Sequence, residues 1–244
     1  MKIVATIEAR MTSSRLPGKV LMTVLGKPML HYLVMRLRAV KSIDEIVLAT
    51  TINDSDDPLV EFAKNEKINV FRGDEDDVMN RVIGAADSVG ADAVVQITGD
   101  CPIIDPDIVE QTIQMFKGNK ISFVSNGIIR SYPDGMDTQV FTLEYLKQSA
   151  SMTNDTLDRE HVSLHMIKHP ELFPRIHLIA PPSLYWPDLG LTLDEHADYE
   201  LLKCIIEYFG VSNKLFSCLD VIRLLQKNPN WVQINNSVNR KGNT

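Results

Sequence analysis

The residues best suited to chemistry lie in one short stretch, Glu8-Ala-Arg-Met-Thr-Ser-Ser-Arg-Leu-Pro-Gly-Lys19. Arg10, Arg15 and Lys19 place cations among small residues. Gly18 lets the backbone approach a ligand closely, and Ser13 and Ser14 offer hydroxyl and amide donors. Cations combined with backbone amides are what a triphosphate needs. The spacing is not that of a Walker A loop, which requires GxxxxGK[ST]. A solvated basic loop would carry the same residue types.

A second group is Gln96-Ile-Thr-Gly-Asp-Cys-Pro102, where an apolar run ends in Gly-Asp. Asp100 in that position is a natural Mg²⁺ ligand, because hard cations take carboxylate and phosphate oxygens together. The alternative is a helix cap, for which Asp105, just before Pro106, is better placed. Asp194, in Leu191-Thr-Leu-Asp-Glu-His-Ala-Asp-Tyr199, either caps the following helix or approaches the same metal as Asp100. His161, His165 and His169 repeat at i, i+4, i+8 on one predicted helix. They match neither HExxH nor HxxEH, so a partly exposed or interface face is the better reading than zinc. The acidic runs Asp54–Asp57 and Asp74–Asp77 read as solvated loop and cap positions, with Arg72 and Arg81 flanking the second.

The elements that must hold these residues follow from hydrophobic spacing. Lys2–Ala9, Glu45–Thr51, Asn69–Phe71 and Ala93–Thr98 are short and rich in Val and Ile, as strands buried on both faces are. Between them Met29–Val40, Asp57–Asn65 and Val78–Ser88 have amphipathic helical spacing. This alternation predicts an α/β fold with a mostly parallel sheet, whose ligands sit beyond the carboxyl ends of the strands. Further on, Lys120–Val124, Gln139–Phe141 and Arg175–Ala180 read as strands. Leu143–Ala150, Arg159–His169, Asp198–Tyr208 and Cys218–Gln226 read as helices. Residues 1–234 read as one domain, and 235–244 as a polar, frayed tail.

The chain has 244 residues, 44% of them hydrophobic, and a formal net charge of −7. That length buries a core without disulfides or structural metal. The acidic balance argues against nucleic acid as a partner, since phosphate-backbone binding needs excess Lys and Arg. Cys101, Cys204 and Cys218 have no CxxC spacing and read as reduced thiols of a cytoplasmic protein. No apolar run approaches a membrane span, and the first residues are charged too early for a secretory leader.

The segment Ile7–Leu30, with ARMTSSRLPGK and then LGKPML, resembles the start of the CMP-sugar synthetases, the cytidylyltransferases. Arg72-Gly-Asp-Glu-Asp-Asp-Val-Met-Asn-Arg81, Gly135-Met-Asp137 and Arg159-Glu-His-Val162 resemble the spore-coat polysaccharide branch. Thr98-Gly-Asp-Cys-Pro102 and Leu193-Asp-Glu-His-Ala-Asp-Tyr199 resemble the family's metal-binding segments. The resemblance spans residues 2–208. It implies a Rossmann-like nucleotide-diphospho-sugar transferase fold, with residues 125–185 inserted as an acceptor and dimerisation segment. It implies transfer from CTP to a sugar acid (KDO- or nonulosonate-like), giving CMP-sugar and pyrophosphate in polysaccharide biosynthesis, with Mg²⁺ and a homodimer. Carried over by position, Arg10, Arg15, Lys19 and Asp100 are catalytic. Ala9, Ser14, Arg72, Arg81 and Thr98 join them at the nucleotide, Asp100 and Asp194 hold the metal, and Asp137, Arg159 and His161 meet the acceptor. The cytosine-selecting run of the KDO enzymes is replaced here by Asp76-Asp-Val-Met-Asn-Arg81, and Gln139 stands where the spore-coat branch has Glu. A metal-dependent glycosyltransferase on the same fold is the alternative.

Overall fold

The computed structural model describes residues 1–210 and 212–240. Its first half alternates strand and helix. Strand β1 (Ile3–Glu8) leads through a loop to a hairpin of β2 (Thr23–Val24) and β3 (Lys27–Pro28), then helix α1 (Met29–Leu37). Strand β4 (Glu45–Thr51), helix α2 (Asp57–Glu66), strand β5 (Asn69–Gly73), helix α3 (Val78–Ser88), strand β6 (Ala93–Thr98) and helix α4 (Pro106–Gly118) follow. The second half contains β7 (Phe123–Ser125), β8 (Gln139–Thr142), α5 (Leu143–Met152), α6 (Thr156–Glu160), α7 (Leu164–Lys168) and β9 (Ile176–His177). Helices α8 (His196–Phe209), α9 (Cys218–Lys227) and α10 (Pro229–Val232) close the described chain.

Seven strands form one sheet in the order β5-β4-β1-β6-β8-β7-β9. β5, β4, β1 and β6 are parallel, β8 runs against β6 and β7, and β9 is parallel to β7. The predicted parallel half is therefore present. Strands β1 and β4 are buried almost throughout because apolar residues occupy both faces. On one face Ala5, Ile7, Val95 and Ile97 pack with Leu33, Leu37 and Val109 of α1 and α4. On the other, Val4 and Val94 pack with Val82 and Ala86 of α3 and Leu146 of α5. This sandwiching leaves the carboxyl ends of β1 and β6 as the open end of the sheet. There Gly99 N–H donates to the Glu8 carbonyl at 2.8 Å. A Cβ at Gly99 would lie 2.8 Å from that same carbonyl oxygen, so only glycine allows this approach.

The predicted helix Arg159–His169 is not continuous. Asp155 caps α6 by accepting from the N–H groups of Leu157 and Asp158. The chain then turns at Val162, which has a positive φ of 31° and is buried. A β-branched residue there is strained by about 1–3 kcal/mol, a cost borne only where surrounding packing fixes it. The break separates His161 from His165 and His169, whose rings stay packed at 4.6 Å. His161 is exposed, His165 is buried beside the Ser149 hydroxyl at 3.1 Å, and His169 faces Glu171. They form no metal face. The predicted cap Asp105 is present, accepting from Asp107 N–H at 2.9 Å, and its second oxygen accepts from Cys218 N–H at 2.6 Å.

Candidate active site

A crevice of about 1360 Å³ opens beyond the carboxyl ends of β1 and β6 and runs under α6 and α7. Arg10, Ser13, Ser14, Arg15 and Lys19 line it together with Thr98, Asp100, Asp194, Arg159 and His161. Ala9, Arg81, Glu8, Gln96 and Gln139 line it as well. The sheet brings these together because β1 and β6 are neighbours in register, with Glu8 beside Thr98, and β8 places Gln139 beside Gln96.

Lys19 lies at its centre. Gly18, with φ 71°, turns the chain so that Lys19 begins a 3₁₀ turn over Lys19–Leu21. The Lys19 ammonium then donates to Asp100 Oδ2 at 3.2 Å and to Asp194 Oδ1 at 3.1 Å. Arg15 Nη2 reaches the same Asp194 oxygen at 2.7 Å. Burial disfavours the Lys19 charge, but the two carboxylates outweigh it and hold the ammonium above its usual range. Burial would also raise the Asp194 carboxyl, yet Lys19 and Arg15 hold it below the usual carboxylate range. Thr98 Oγ1 donates to Asp100 Oδ1 at 2.6 Å and fixes its rotamer. Asp194 does not cap α8. The N-cap is Glu195, in a capping box with Asp198 in the first turn, whose Oδ2 accepts from the N–H groups of Asp194 and Glu195 at 3.0 and 2.9 Å.

The basic loop is therefore not a bare cationic surface. Arg10 pairs with Glu75 at 2.9 Å, Arg15 with Asp194, and Lys19 with both aspartates. Carboxylates outnumber cations around the crevice. A polyanion entering it needs cations of its own. Two carboxylates sharing one ammonium offer hard oxygen donors to such a cation, and Mg²⁺ typically takes one or two carboxylates with phosphate and water completing its shell. Among the described residues no group of three His, Cys, Asp or Glu could hold an ion. The donor set thus fits a phosphate-borne Mg²⁺ and not an all-protein zinc site.

Several expected residues lie elsewhere. Arg72 does not line the crevice. Its guanidinium donates to the carbonyls of Thr51 and Asn53 and to Asp57, tying β5 to the start of α2. Asp137 is also outside the lining, 4.0 Å from Arg130 and beside Gly127. Burial and the neighbouring Asp134 push its carboxyl up to about 7. The acidic runs are only partly solvated. Asp56 is fully buried, accepting from Met11 N–H, Thr50 and Thr51, while Glu75 accepts from Arg10, Thr12 and Asn53. Asp77 caps α3 as expected. Arg81 is buried, with Nη1 donating to the carbonyls of Asp74 and Glu75, so it braces the loop over the crevice.

Glu8 has no role legible in the sequence. Its carboxylate accepts from Thr6 and Gln96, both at 3.2 Å, and burial pushes the carboxyl up to about 8 despite Gln96 and Arg81. Beside it Gln96 Oε1 and Gln139 Oε1 are buried without a hydrogen-bond partner. The polar tail is a second such case. Asn235 is buried and bonded to Asp198, and Arg240 is paired with Asp198 at 2.7 Å, so residues 235–240 are docked rather than frayed. Residues 241–244 lie outside the described chain.

A cationic loop, facing carboxylates and a buried polar floor lie at the carboxyl ends of a Rossmann-like sheet, the place where such sheets bind nucleotides. A family model described as cytidylyltransferase matches residues 4–207. The chain belongs to the cytidylyltransferase family and is an enzyme of that class. It is 32% identical over 234 residues to the spore coat polysaccharide biosynthesis protein SpsF of Bacillus subtilis, covering 93% of this chain and 95% of that protein. It resembles the solved structure of a cytidylyltransferase from Leptospira borgpetersenii with a TM-score of 0.91 and 34% identity, over 98% of this chain and all of that one. A CMP:2-keto-3-deoxy-manno-octonic acid synthetase solved with CTP shares the fold, with a TM-score of 0.63, 18% identity and 85% and 99% of the two chains covered. Membership of this family decides against the glycosyltransferase alternative. No helix among the described residues is long and apolar enough to cross a membrane.

Proposed function

We propose that the enzyme transfers CMP from CTP to the hydroxyl of a sugar acid, releasing pyrophosphate, as a step in surface polysaccharide assembly. The observation that carries this reading is the convergence of Asp100 and Asp194 on the Lys19 ammonium, next to Arg15. An acceptor hydroxyl attacking the α-phosphorus displaces pyrophosphate, and such transfers depend on positioning and charge neutralisation more than on covalent catalysis. Arg10, Arg15 and Lys19 leave their carboxylate partners for the phosphates and neutralise the charge growing on the leaving group. Asp100 and Asp194, released from Lys19, would hold Mg²⁺. When bound, that ion supplies charge neutralisation at the phosphate and acidifies a hydroxyl near it. Arg159 and His161, which also line the crevice, take the acceptor. The spore-coat relative supports the place in polysaccharide assembly, and 30% identity over 115 residues to a 3-deoxy-manno-octulosonate cytidylyltransferase of Geobacter sulfurreducens supports a sugar-acid acceptor.

A homodimer through residues 125–185 belongs to the same reading. That segment exposes Ile129, Leu157, Leu172 and Ile179, each between 42% and 54% accessible. Size-exclusion chromatography with light scattering at several concentrations tests it; a monomer throughout rejects it.

Pyrophosphate release with four nucleoside triphosphates against a panel of sugar acids tests the activity. Release dependent on CTP, Mg²⁺ and one sugar acid is expected. Equal release with every triphosphate, or with neutral sugars alone, overturns the assignment of donor or acceptor.

A further inference from the structure

The C-terminal segment touches both ends of the phosphate grip. The Arg240 guanidinium, 10% exposed, lies across Gly190, where an added Cβ would meet its central carbon at 1.9 Å. Its Nη2 donates to Asp198 Oδ1 at 2.7 Å and its Nη1 to Thr192 Oγ1 at 2.6 Å. Arginine can only donate, so the Thr192 oxygen accepts and its one proton is left to point elsewhere. The Asp194 Oδ2 atom lies 3.4 Å from it, a long contact on the side away from Lys19. Asp198 is fully buried, and its second oxygen holds the Asp194 backbone N–H. One residue before Arg240, the Asn239 carbonyl accepts from Arg15 Nη1 at 3.0 Å.

We propose that Arg240 is a positioning residue for the nucleotide site: through Thr192 and Asp198 it fixes the carboxylate and backbone of Asp194, and its segment holds Arg15 at Asn239. This rests on the reading of Asp194 and Arg15 as metal and triphosphate ligands. Arg240 acts on the site through Thr192 and Asp198, and its own positive charge, added to those of Lys19 and Arg15, helps hold the Asp194 carboxyl low. Groups that orient a metal ligand from behind typically change metal affinity or activity by about 10- to 100-fold when removed.

Removing Arg240 alone also leaves Asp198 as an uncompensated buried charge, which destabilises the fold. A double variant separates the two effects. Binding of CTP in MgCl₂ is measured by calorimetry, and thermal unfolding is followed in parallel, so no acceptor is required. In Arg240→Met, CTP affinity is expected to fall about 10- to 100-fold and Tm to drop. In Asp198→Asn with Arg240→Met, the burial mismatch is gone and Tm recovers, but CTP affinity stays low. Arg240→Lys recovers part of the affinity, and Gly190→Ala, which expels the guanidinium, matches Arg240→Met. If the double variant binds CTP like the wild type, Arg240 only neutralises Asp198 and the proposal is wrong. Wild-type affinity in Arg240→Met overturns it equally. If the wild type binds no nucleoside triphosphate, the underlying reading of the site falls, and the proposal with it.

Discussion

Lys19 and Asp194 are separated by 175 residues in sequence, yet the lysine Nζ stands 3.1 Å from Asp194 Oδ1. The same ammonium reaches Asp100 on the neighbouring strand end at 3.2 Å. Three segments from distant parts of the chain therefore meet at one charge. The carboxylates are held near each other by a cation that belongs to the protein.

That arrangement makes the carboxylates the first target. Asp100→Asn and Asp194→Asn keep shape and hydrogen-bonding while removing charge. Each is expected to lower the rate of pyrophosphate release by about 10²–10³-fold, the loss typical of one preorganised charge-stabilising group. Steady-state assays with CTP, Mg²⁺ and a working sugar acid measure it. Rates near the wild type for either variant would remove that residue from the metal site.

Lys19 competes with a divalent cation for the same two oxygens. With Arg15 also on Asp194, the carboxylates are already neutralised in the free protein. Mg²⁺ is then expected to bind with the nucleotide, whose phosphates draw Lys19 and Arg15 away. Lys19→Met should tighten Mn²⁺ binding to the free protein about tenfold or more, as one ammonium lost from a partly buried pair, and weaken CTP binding. Electron paramagnetic titration of Mn²⁺ without nucleotide gives the first quantity. An unchanged Mn²⁺ affinity in the variant would show that Lys19 does not stand in for the ion.

The Glu8 carboxyl, raised to about 8 by burial, makes stability depend on pH with a definite sign. Between the unfolded value of 4.5 and the folded value of about 8, the folded chain holds a proton that the unfolded chain has lost. Folding stability from this group therefore falls as pH rises through that window and levels off above it. Glu8→Gln removes the dependence. Near pH 5 the variant and wild type should unfold at similar urea concentrations. At pH 9 the variant should be more stable by about 2 kcal/mol, since one pKa unit corresponds to about 1.4 kcal/mol and the group is partly open to the crevice. Parallel urea curves at both pH values decide it, and an equal difference at each would place the Glu8 carboxyl in its ordinary range.

Much of this site was legible in the sequence, and the exceptions have physical causes. Val/Ile-rich runs and helical spacing located β1, β4, β6 and α3 because local pattern and burial agree there. The loop from Arg10 to Lys19 and Asp100 followed from chemistry at strand ends. Arg72 and Arg81 are alike in sequence, both basic and both flanking the same acidic run. One closes on the backbone of Thr51 and Asn53, the other on the backbone of Asp74 and Glu75 at the crevice, and only the path of β5 into α3 separates them. The Arg159–His169 helix failed because periodicity cannot register a left-handed turn at a buried valine. Arg240 carried no local signal, since its partner Asp198 is 42 residues away. Glu8 stood within the quoted motif, but its surroundings depend on Gln96 of the neighbouring strand β6 and on Arg81, both distant in sequence.

Arg159 gives the sharpest test of where the acceptor lies. Its Nε and Nη2 donate to the carbonyls of Thr153 and Ala150, closing the end of α5, so the guanidinium is held rigidly. Its Nη1 is buried, 3.5 Å from Asp77 Oδ2, and makes no hydrogen bond. With one edge fixed on carbonyls and Nη1 held only by the Asp77 ion pair, the guanidinium can exchange that carboxylate for the acceptor's, a partner it prefers to a neutral hydroxyl. Arg159→Lys keeps the charge but loses the fork. It is expected to raise KM for the sugar acid about tenfold while leaving KM for CTP within about twofold, since only the acceptor's binding is uniformly weakened. The ester of the same sugar acid, which lacks the charge, should bind wild type and variant equally poorly. If both KM values rise together, Arg159 acts only by closing α5, and the acceptor's carboxylate must be sought elsewhere along the crevice.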